Sequence, residues 1–466
     1  MTSVVLFTRD LRVHDHPALT AAVAEGGEVV PLFVVDPAML AISPNRARFL
    51  MESLADLDRS LQQRGGRLAT RRGEVVAAVL RVVEETGATS VHLTSDVSVT
   101  ARRREEALRE ALAVRRVTLH VHPGTAVVEP GEVLPAGKDV YSVFTPYHRS
   151  WAQAPRRGVL PAPERVSLPA SFDPGPPVDP STVSPESIDL PPGGESNART
   201  HLAAYLDGDA GDYADLRNDL AADATSRLSP YLRFGSVSAN EVVARAGAVG
   251  GGAAELVRQL AWRDFFGQLL AHDPTLAWRD YRESPPDVPP LPADAADLLS
   301  RWVAGTTGVP LVDAGMRQLR REGWIHNRAR MVVASFLTRR LGIPWQEGAK
   351  VFMRWLVDGD PANNTGGWQW VAGTGTDPRR SRSFNPVRQA ERFDPSGDYV
   401  RRYIRELADV PAPLIFAPWK EPTVLSASGY PPPILELRVD LRVPGPGATP
   451  SRRSMPLRPG QATLAV

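Results

Sequence analysis

Apolar residues follow two rhythms along this chain, and the rhythm changes near residue 196. Before that point, short runs rich in β-branched residues at 3–8 (SVVLFT), 28–35 (EVVPLFVV), 90–94 (SVHLT) and 117–122 (VTLHVH) alternate with helical patterns at 17–25, 46–64, 73–86 and 101–113. The stretch 67–71 offers one more strand. Short continuous apolar runs suit strands buried on both faces. Strands alternating with helices predict a Rossmann-like parallel sheet covered on both sides, an α/β domain over residues 1–130. An interdomain connector is expected over 131–195, because 155–195 is dominated by proline, serine and glycine without a lasting period; it reads as chain laid over the surface. Over 196–441 apolar residues recur at helical spacing, most clearly at 254–272, 312–341 and 345–358, which predicts an all-α domain. The proline- and arginine-rich stretch 442–466 reads as a disordered tail.

Composition narrows the class without naming a chemistry. The 466 residues leave room for two or three domains, and 42% hydrophobic with 23% charged residues describe an ordinary globular protein. A formal net charge of +1 means that any nucleic-acid face is local. The absence of cysteine excludes disulfides and thiolate metal sites and fits a reducing compartment. With no run of about 18 apolar residues and an N-terminus charged too early for a signal peptide, a cytoplasmic monomer with no membrane partner is expected. There is no P-loop, GxGxxG after a strand, HExxH or GxSxG. The nine histidines show no metal-ligand spacing, so no metal is expected, and His14 and His16 read as polar surface residues of a loop.

The segment 358–377, DGDPANNTGGWQWVAGTGTD, fits neither a core nor a solvated linker. Its five glycines let backbone approach a flat ligand, Asp358, Asp360, Asn363 and Asn364 offer acceptors and amides to a polar ring edge, and Trp368 and Trp370 offer stacking faces. The alternative is a glycine-rich turn between two helices. Thr225, Ser226, Arg227, Leu228 and Ser229 precede a helix with Pro230 in its first turn. That arrangement can bind an anion, or can be a plain N-cap.

Six segments in order, LFTRDLRVHDHPAL (6–19), YSVFTPYHRSW (141–151), ATSRLSPYLRFGSVS (224–238), RQLAWRDFF (258–266), GMRQLRREGWIHNRARM (315–331) and 358–377, carry a resemblance over nearly the whole chain. The chain resembles the DNA photolyase/cryptochrome family, and most of all its class I-type bacterial members that act on cyclobutane pyrimidine dimers. The resemblance implies FAD held in a U-shape within the all-helical domain. It also implies a light-driven carbon–carbon lyase that repairs UV-damaged DNA by electron transfer from reduced FAD. By position, Tyr213 and residues 225–229 would contact the flavin phosphates. Asp358 and Asp360 would contact the isoalloxazine and ribose, Asn364 would face flavin N5, and Arg330 would pair with Asp358. Gln259, Arg263 and Asn327 would complete the pocket. Trp262 and Trp370 would sandwich a flipped-out dimer, with Arg217, Asn327, Arg328 and Met331 around it. Trp368 and Trp345 would begin an electron-transfer chain of tryptophans.

Three departures qualify what the resemblance implies. The outer tryptophan expected near 290–293 is replaced by PLPA, and Trp302 is the nearest substitute along the chain. Gln259 stands where dimer-specific enzymes carry a glutamate; it can donate a hydrogen bond but not a proton. Glutamine there is typical of (6-4) photolyases and many cryptochromes, so a (6-4) enzyme or a cryptochrome-type photoreceptor without repair are the alternatives; a non-catalytic nucleotide- or DNA-binding protein is a further one. Of the histidine pair that (6-4) enzymes use, the chain supplies His326. The end of the chain keeps a Gly-Tyr-Pro turn, but Pro431, Pro432 and Pro433 are expected to truncate the final helix. Asp36, Arg46, Arg48, Asp96 and Arg102 lie where a second, antenna chromophore could be held, with a deazaflavin favoured over a folate.

Overall fold

The computed structural model describes residues 1–282, 291–377 and 383–435; the expected tail at 442–466 lies outside the described residues. Strands β1 (Thr2–Leu6), β2 (Glu28–Val35), β3 (Ala69–Arg72), β4 (Ser90–Thr94) and β5 (Thr118–His122) form one parallel sheet in the order β3-β2-β1-β4-β5. Helices α1 (Pro17–Ala24), α2 (Pro37–Ile42), α3 (Pro44–Gln62), α4 (Val75–Thr86) and α5 (Val99–Val114) connect the strands and cover them. Only the short α2 has no counterpart in the apolar pattern, since none of its residues is buried.

The central strands β1 and β2 are largely apolar because their two faces feed separate cores. Val4 and Leu6 of β1, with Val30, Leu32 and Val34 of β2, pack against Val79 and Val82 of α4 and Leu108 and Leu112 of α5. Val5, Val29, Phe33 and Val35 face the other way, onto Leu19 of α1 and Phe49, Leu54 and Leu57 of α3. That second core continues without a break into the helical half, through Trp151, Leu202, Tyr231 and Phe265.

The helical half contains α6 (Phe144–Gln153), α7 (Glu195–Asp207), α8 (Tyr213–Leu216), α9 (Ser229–Phe234), α10 (Ala239–Val249), α11 (Ala253–His272), α12 (Ala295–Ala304), α13 (Pro310–Glu322), α14 (Asn327–Ser335), α15 (Trp345–Trp355), α16 (Pro361–Ala372), α17 (Pro386–Phe393), α18 (Asp398–Tyr403) and α19 (Pro422–Ser428). The single helical run expected at 312–341 is broken. Gly323 ends α13 at φ +61, His326 caps α14, and a π-helical turn at 336–340 follows. The segment 358–377 is not a turn. Asp360 caps it, Pro361 starts it, and Gly373 at φ +76 ends it, so its centre is α16.

The stretch 155–195 is tied in more firmly than a surface connector. Its Ser167 and Pro174 carbonyls accept from the Val29 and Thr70 amides of β2 and β3, and Val166 is fully buried. After α19, Tyr430 is buried with its hydroxyl on Asp313. The Ile434 amide donates to Thr307, and residues from 436 on lie outside the described residues.

The segment 9–15, RDLRVHD, joins the two halves. It leaves β1 where the sheet order reverses, between β1 and β4, the crevice at which doubly wound sheets receive ligands. Here the helical half fills that crevice. Arg12, 1% exposed, donates to the carbonyls of Asp15, Gly124 and Gly235. Asp15 accepts from Arg157 and Ser238. His16 is not a surface residue: it is fully buried, caps α1 through Nδ1, and places Nε2 3.0 Å from Asp10.

The closeness of this junction sets a test. A Cβ on Gly235, at φ +65, would lie 2.0 Å from the Arg9 carbonyl oxygen, whereas one on Gly429, at φ +69, would meet nothing within 4 Å. Both alanine variants incur the left-handed cost of about 1–2 kcal/mol. Gly235→Ala alone adds a backbone collision, so its thermal midpoint should fall well below that of Gly429→Ala in parallel melts.

Candidate active site

Helix α16 separates two cavities, and its sequence explains how. Asn363, Asn364, Gly367, Trp368 and Val371 face one cavity, together with Asn327, Arg330, Met331 and Ala334 of α14 and Phe352 of α15. Ala362, Thr365, Gly366, Gln369 and Trp370 face another, with Phe144, Arg258, Trp262 and Phe266 across it. The two sets interleave at helical spacing. Two glycines side by side cost helix stability, about 1 kcal/mol each, and each has a local reason. A Cβ on Gly366 would lie 2.2 Å from the Phe266 ring, so glycine lets α16 and α11 touch. A Cβ on Gly367 would meet nothing within 4 Å, because that side is open cavity.

The polar groups around the first cavity are poised and partly unsatisfied. Asp358 is 5% exposed; its Oδ2 takes the Arg330 guanidinium at 2.6 Å while Oδ1 is buried without a hydrogen-bond partner. Arg330 is itself aimed by the Ile325 carbonyl at 2.9 Å. The Asn364 amide donates to the Ala349 carbonyl at 3.1 Å, which leaves Oδ1 as its acceptor end. Asn363 Oδ1 is also buried without a partner, as is Thr225 Oγ1, which lines an adjoining cavity. Buried polar atoms are rarely left so, and a polar ligand in the cavity would satisfy them.

A second cavity adjoins the first through the shared Asn327 and Arg330. Tyr213, Arg217, residues 225–229, Gln259 and Trp324 line it. The Ser229 hydroxyl accepts from the Trp324 indole at 3.2 Å. Arg227, in left-handed backbone at φ +46, is clamped by Asp223 and Glu322 and lies over the Trp324 ring. Its guanidinium therefore shapes the wall. His326 Nδ1 accepts from the Arg328 amide at 3.1 Å. Burial, followed by the nearby charges of Arg328, Arg227 and Arg330, pushes the His326 pKa down to about 3.

The cavity on the other face of α16, of about 240 Å³, holds both Trp262 and Trp370 in its lining. Trp262 is backed by Phe144, with ring centroids 3.7 Å apart and planes 6° from parallel. The other residues expected around a dimer divide. Arg217 and Asn327 line the second cavity, Met331 and Asn327 line the first, and Arg328 lies outside all three, over Phe393 and bonded to Asn218.

Two expected cofactor residues sit elsewhere. Arg263 donates to the Thr125 and Leu232 carbonyls at the domain junction and lines none of these cavities. Asp360 accepts from the Asn363 amide through Oδ1 and pairs with Arg9 at 2.6 Å through Oδ2. Burial alone would raise the Asp360 pKa, but Arg9 and Arg233 hold it well below the usual carboxylate range.

The indoles of the expected chain differ in setting. Trp368, 2% exposed, lies on α15 where Gly348 has no side chain; a Cβ there would sit 2.1 Å from its ring. Trp345 is one helical turn before Gly348, and its Nε1 donates to Asp280 at 2.6 Å. Trp302 is not an outer member: it is fully buried, with its ring centroid 6.1 Å from that of Trp368. Trp278, which the sequence reading passed over, is 56% exposed and lies two residues before Asp280. Of the residues considered for an antenna, Asp36 caps α2, Arg46 donates to the Leu356 carbonyl, Arg48 pairs with Glu52, and Asp96 pairs with Arg9.

Comparison with known proteins decides the family. The signature described as DNA photolyase matches residues 3–167, and the one described as FAD binding domain of DNA photolyase matches residues 256–442. Deoxyribodipyrimidine photo-lyase of Streptomyces griseus is 50% identical over 93% of this chain and 96% of its own length. This chain belongs to the photolyase/cryptochrome family. Its relatives include deoxyribodipyrimidine photo-lyase of Escherichia coli, 34% identical over 93% of this chain and 96% of its own length. Among solved structures, a bacterial class III photolyase from Agrobacterium tumefaciens superposes with a TM-score of 0.86 at 32% identity, covering 93% of this chain and 94% of that one. A Synechocystis cryptochrome does so with the same score at 28% identity, covering 93% and 96%. The helical half thus carries a photolyase FAD-binding domain, and the paired cavities with their unsatisfied buried acceptors fit an FAD. Among the described residues no helix is long and apolar enough to cross a membrane.

Two outcomes follow. Gly367→Leu should fold, because its side chain enters open space, yet lose FAD, read as flavin absorbance per mole of purified protein. The depressed pKa of His326 also makes stability depend on pH. Unfolded His326 takes up a proton below about pH 6.5 and the folded residue does not until about pH 3, so acidification costs folded stability between those values. At pH 5 the loss reaches about 2 kcal/mol. Melts at pH 7 and pH 5 should show it, and His326→Asn, which keeps a capping side chain, should shrink the difference.

Proposed function

We propose that this protein is a blue-light-dependent deoxyribodipyrimidine photo-lyase that uses FAD to reverse cyclobutane pyrimidine dimers in UV-damaged DNA. The observation that carries this reading is the double role of α16. One face presents Asn364 and Gly367 to the polar cavity, and the other presents Trp370 to the cavity it shares with Trp262. Cofactor and extruded lesion are thereby assigned to neighbouring spaces with one helix between them. The deoxyribodipyrimidine photo-lyases related over nearly the full chain support the same reading.

Asn364 Oδ1 would accept a hydrogen bond from the flavin ring edge without adding charge, and Asp358, held by Arg330, would accept a second one. Tyr213, Thr225, Ser226 and Ser229 would surround the phosphates. Bound and reduced, FAD supplies on excitation the electron that opens the cyclobutane ring and receives it back. The protein's part is to exclude water and to stack the dimer on Trp262 and Trp370, while Gln259 faces the cavity lined by residues 225–229. Arg217 and Arg328 would serve the DNA backbone.

His326 argues for cyclobutane dimers over (6-4) lesions. It is buried, its Nδ1 is used as a helix cap, and at neutral pH it carries no extra proton to give. Arg46 and Asp96 are engaged by Leu356 and Arg9, so the proposal covers FAD alone and assigns no antenna. A second reading, a photoreceptor without repair, is favoured by Gln259 and by the likeness to the Synechocystis cryptochrome.

Purified protein with reduced flavin should remove dimers from a UV-irradiated oligonucleotide under blue light. Dimer content equal to the dark control, with flavin bound and reduced, would favour the photoreceptor. Trp262→Ala should weaken binding to dimer-containing DNA roughly tenfold, from the loss of about 1–3 kcal/mol of stacking, with FAD retained.

A further inference from the structure

The histidines that look scattered in sequence are brought together by strand pairing. β4 and β5 are parallel neighbours in a register that sets His92 beside His120, and His122, two residues on, returns to the same face of the sheet. The His92 ring stacks on both, with centroids 4.7 Å from His120 and 5.3 Å from His122. Glu25, at the C-terminal end of α1, closes over them with Oε1 3.1 Å from His92 Nε2. One ligand atom from each of Glu25, His92 and His120 lies within 4.8 Å of the others.

We propose that Glu25, His92 and His120 form a binding site for a divalent transition-metal ion of the zinc class. The site is remote from the flavin cavities: it lies towards Ser3 and Ser90, which open or nearly open β1 and β4, whereas the domain junction is built on the opposite strand ends. It has the outer support that metal sites require. Ser3 and Ser90 hydroxyls both donate to Glu25 Oε2, at 2.7 and 3.0 Å, which fixes the carboxylate and leaves Oε1 towards His92. His122 Nε2 lies 3.1 Å from His92 Nδ1. The ion would displace the proton that His92 Nε2 shares with Glu25 Oε1, and His122 Nε2 is placed to accept the N–H then carried on His92 Nδ1.

Two imidazoles and a carboxylate without thiolate select zinc, cobalt, nickel or copper(II) over soft or hard ions. Bonds of about 2.0–2.1 Å place tetrahedral ligands about 3.3 Å apart, so His120, half-buried on the edge strand, must close inward by about 1 Å or more. Exposed Glu25 provides the entry path, and water completes the shell. Because α1 and the edge strand β5 each contribute a ligand, the ion would tie them together.

The test uses untagged full-length protein carrying its FAD, stripped with chelator and titrated with Co²⁺ and then Zn²⁺. The expected result is one saturable ion per chain, cobalt bands of a low-coordinate site that zinc bleaches, and a thermal midpoint raised by zinc. Glu25→Gln and His120→Ala, both at partly exposed positions, should each weaken zinc about tenfold or more. Both should abolish the thermal shift while leaving flavin absorbance and light-driven activity unchanged. No saturable uptake by the parent protein, or uptake and thermal shift unaltered in both variants, would overturn the proposal.

Discussion

The ion pair between Arg9 and Asp360 is the contact on which the arrangement of this molecule depends. Arg9 leaves the strand at which the sheet reverses its order and joins Asp96, Asp360 and the Arg233 carbonyl in one largely buried cluster. Asp360 in turn caps α16, so the α/β domain holds the capping residue of the helix that divides the polar cavity from the one lined by Trp262 and Trp370. Removing one partner of such a pair leaves an uncompensated buried charge, at a cost of about 3–5 kcal/mol. α16 cannot turn or slide without disturbing that cluster.

The composition of α16 follows from its position. A helix used on both faces cannot present one apolar stripe. Glycine appears where α11 must approach and where the cavity must stay open, asparagine on the face of the polar cavity, and tryptophan on both faces, Trp368 on one and Trp370 on the other. Gly348 on α15 complements this by giving the Trp368 ring a place to lie. The helix is held by its cap, by Gly373 at its end and by packing, not by intrinsic propensity.

Much of this was legible in the sequence, for reasons that differ by element. β2 matches the pattern residue for residue because a strand buried on both faces is apolar throughout, and α11 because its apolar spacing is sustained over five turns. The order of the polar motifs pointed to a flavin pocket, and Asn364, Arg330, Asp358 and Gln259 do line or border adjoining cavities. What could not be read was long-range. Arg9 meets Asp360 across 351 positions, Arg263 turns to the junction, and strand register alone unites three histidines. The break at Gly323 was hidden because apolar spacing continues through it. Trp302 looked like a surface substitute because linear nearness to a missing residue says nothing about depth.

The central claim is that the sheet holds the flavin helix through one buried pair. A double-mutant cycle on Arg9→Met and Asp360→Asn, read as the dissociation constant for FAD, tests it most directly. The account predicts that each single variant weakens FAD binding and that the double variant is less impaired than their sum, with a coupling of about 1 kcal/mol or more. Additive effects, or single variants that bind FAD as the parent does, would contradict it.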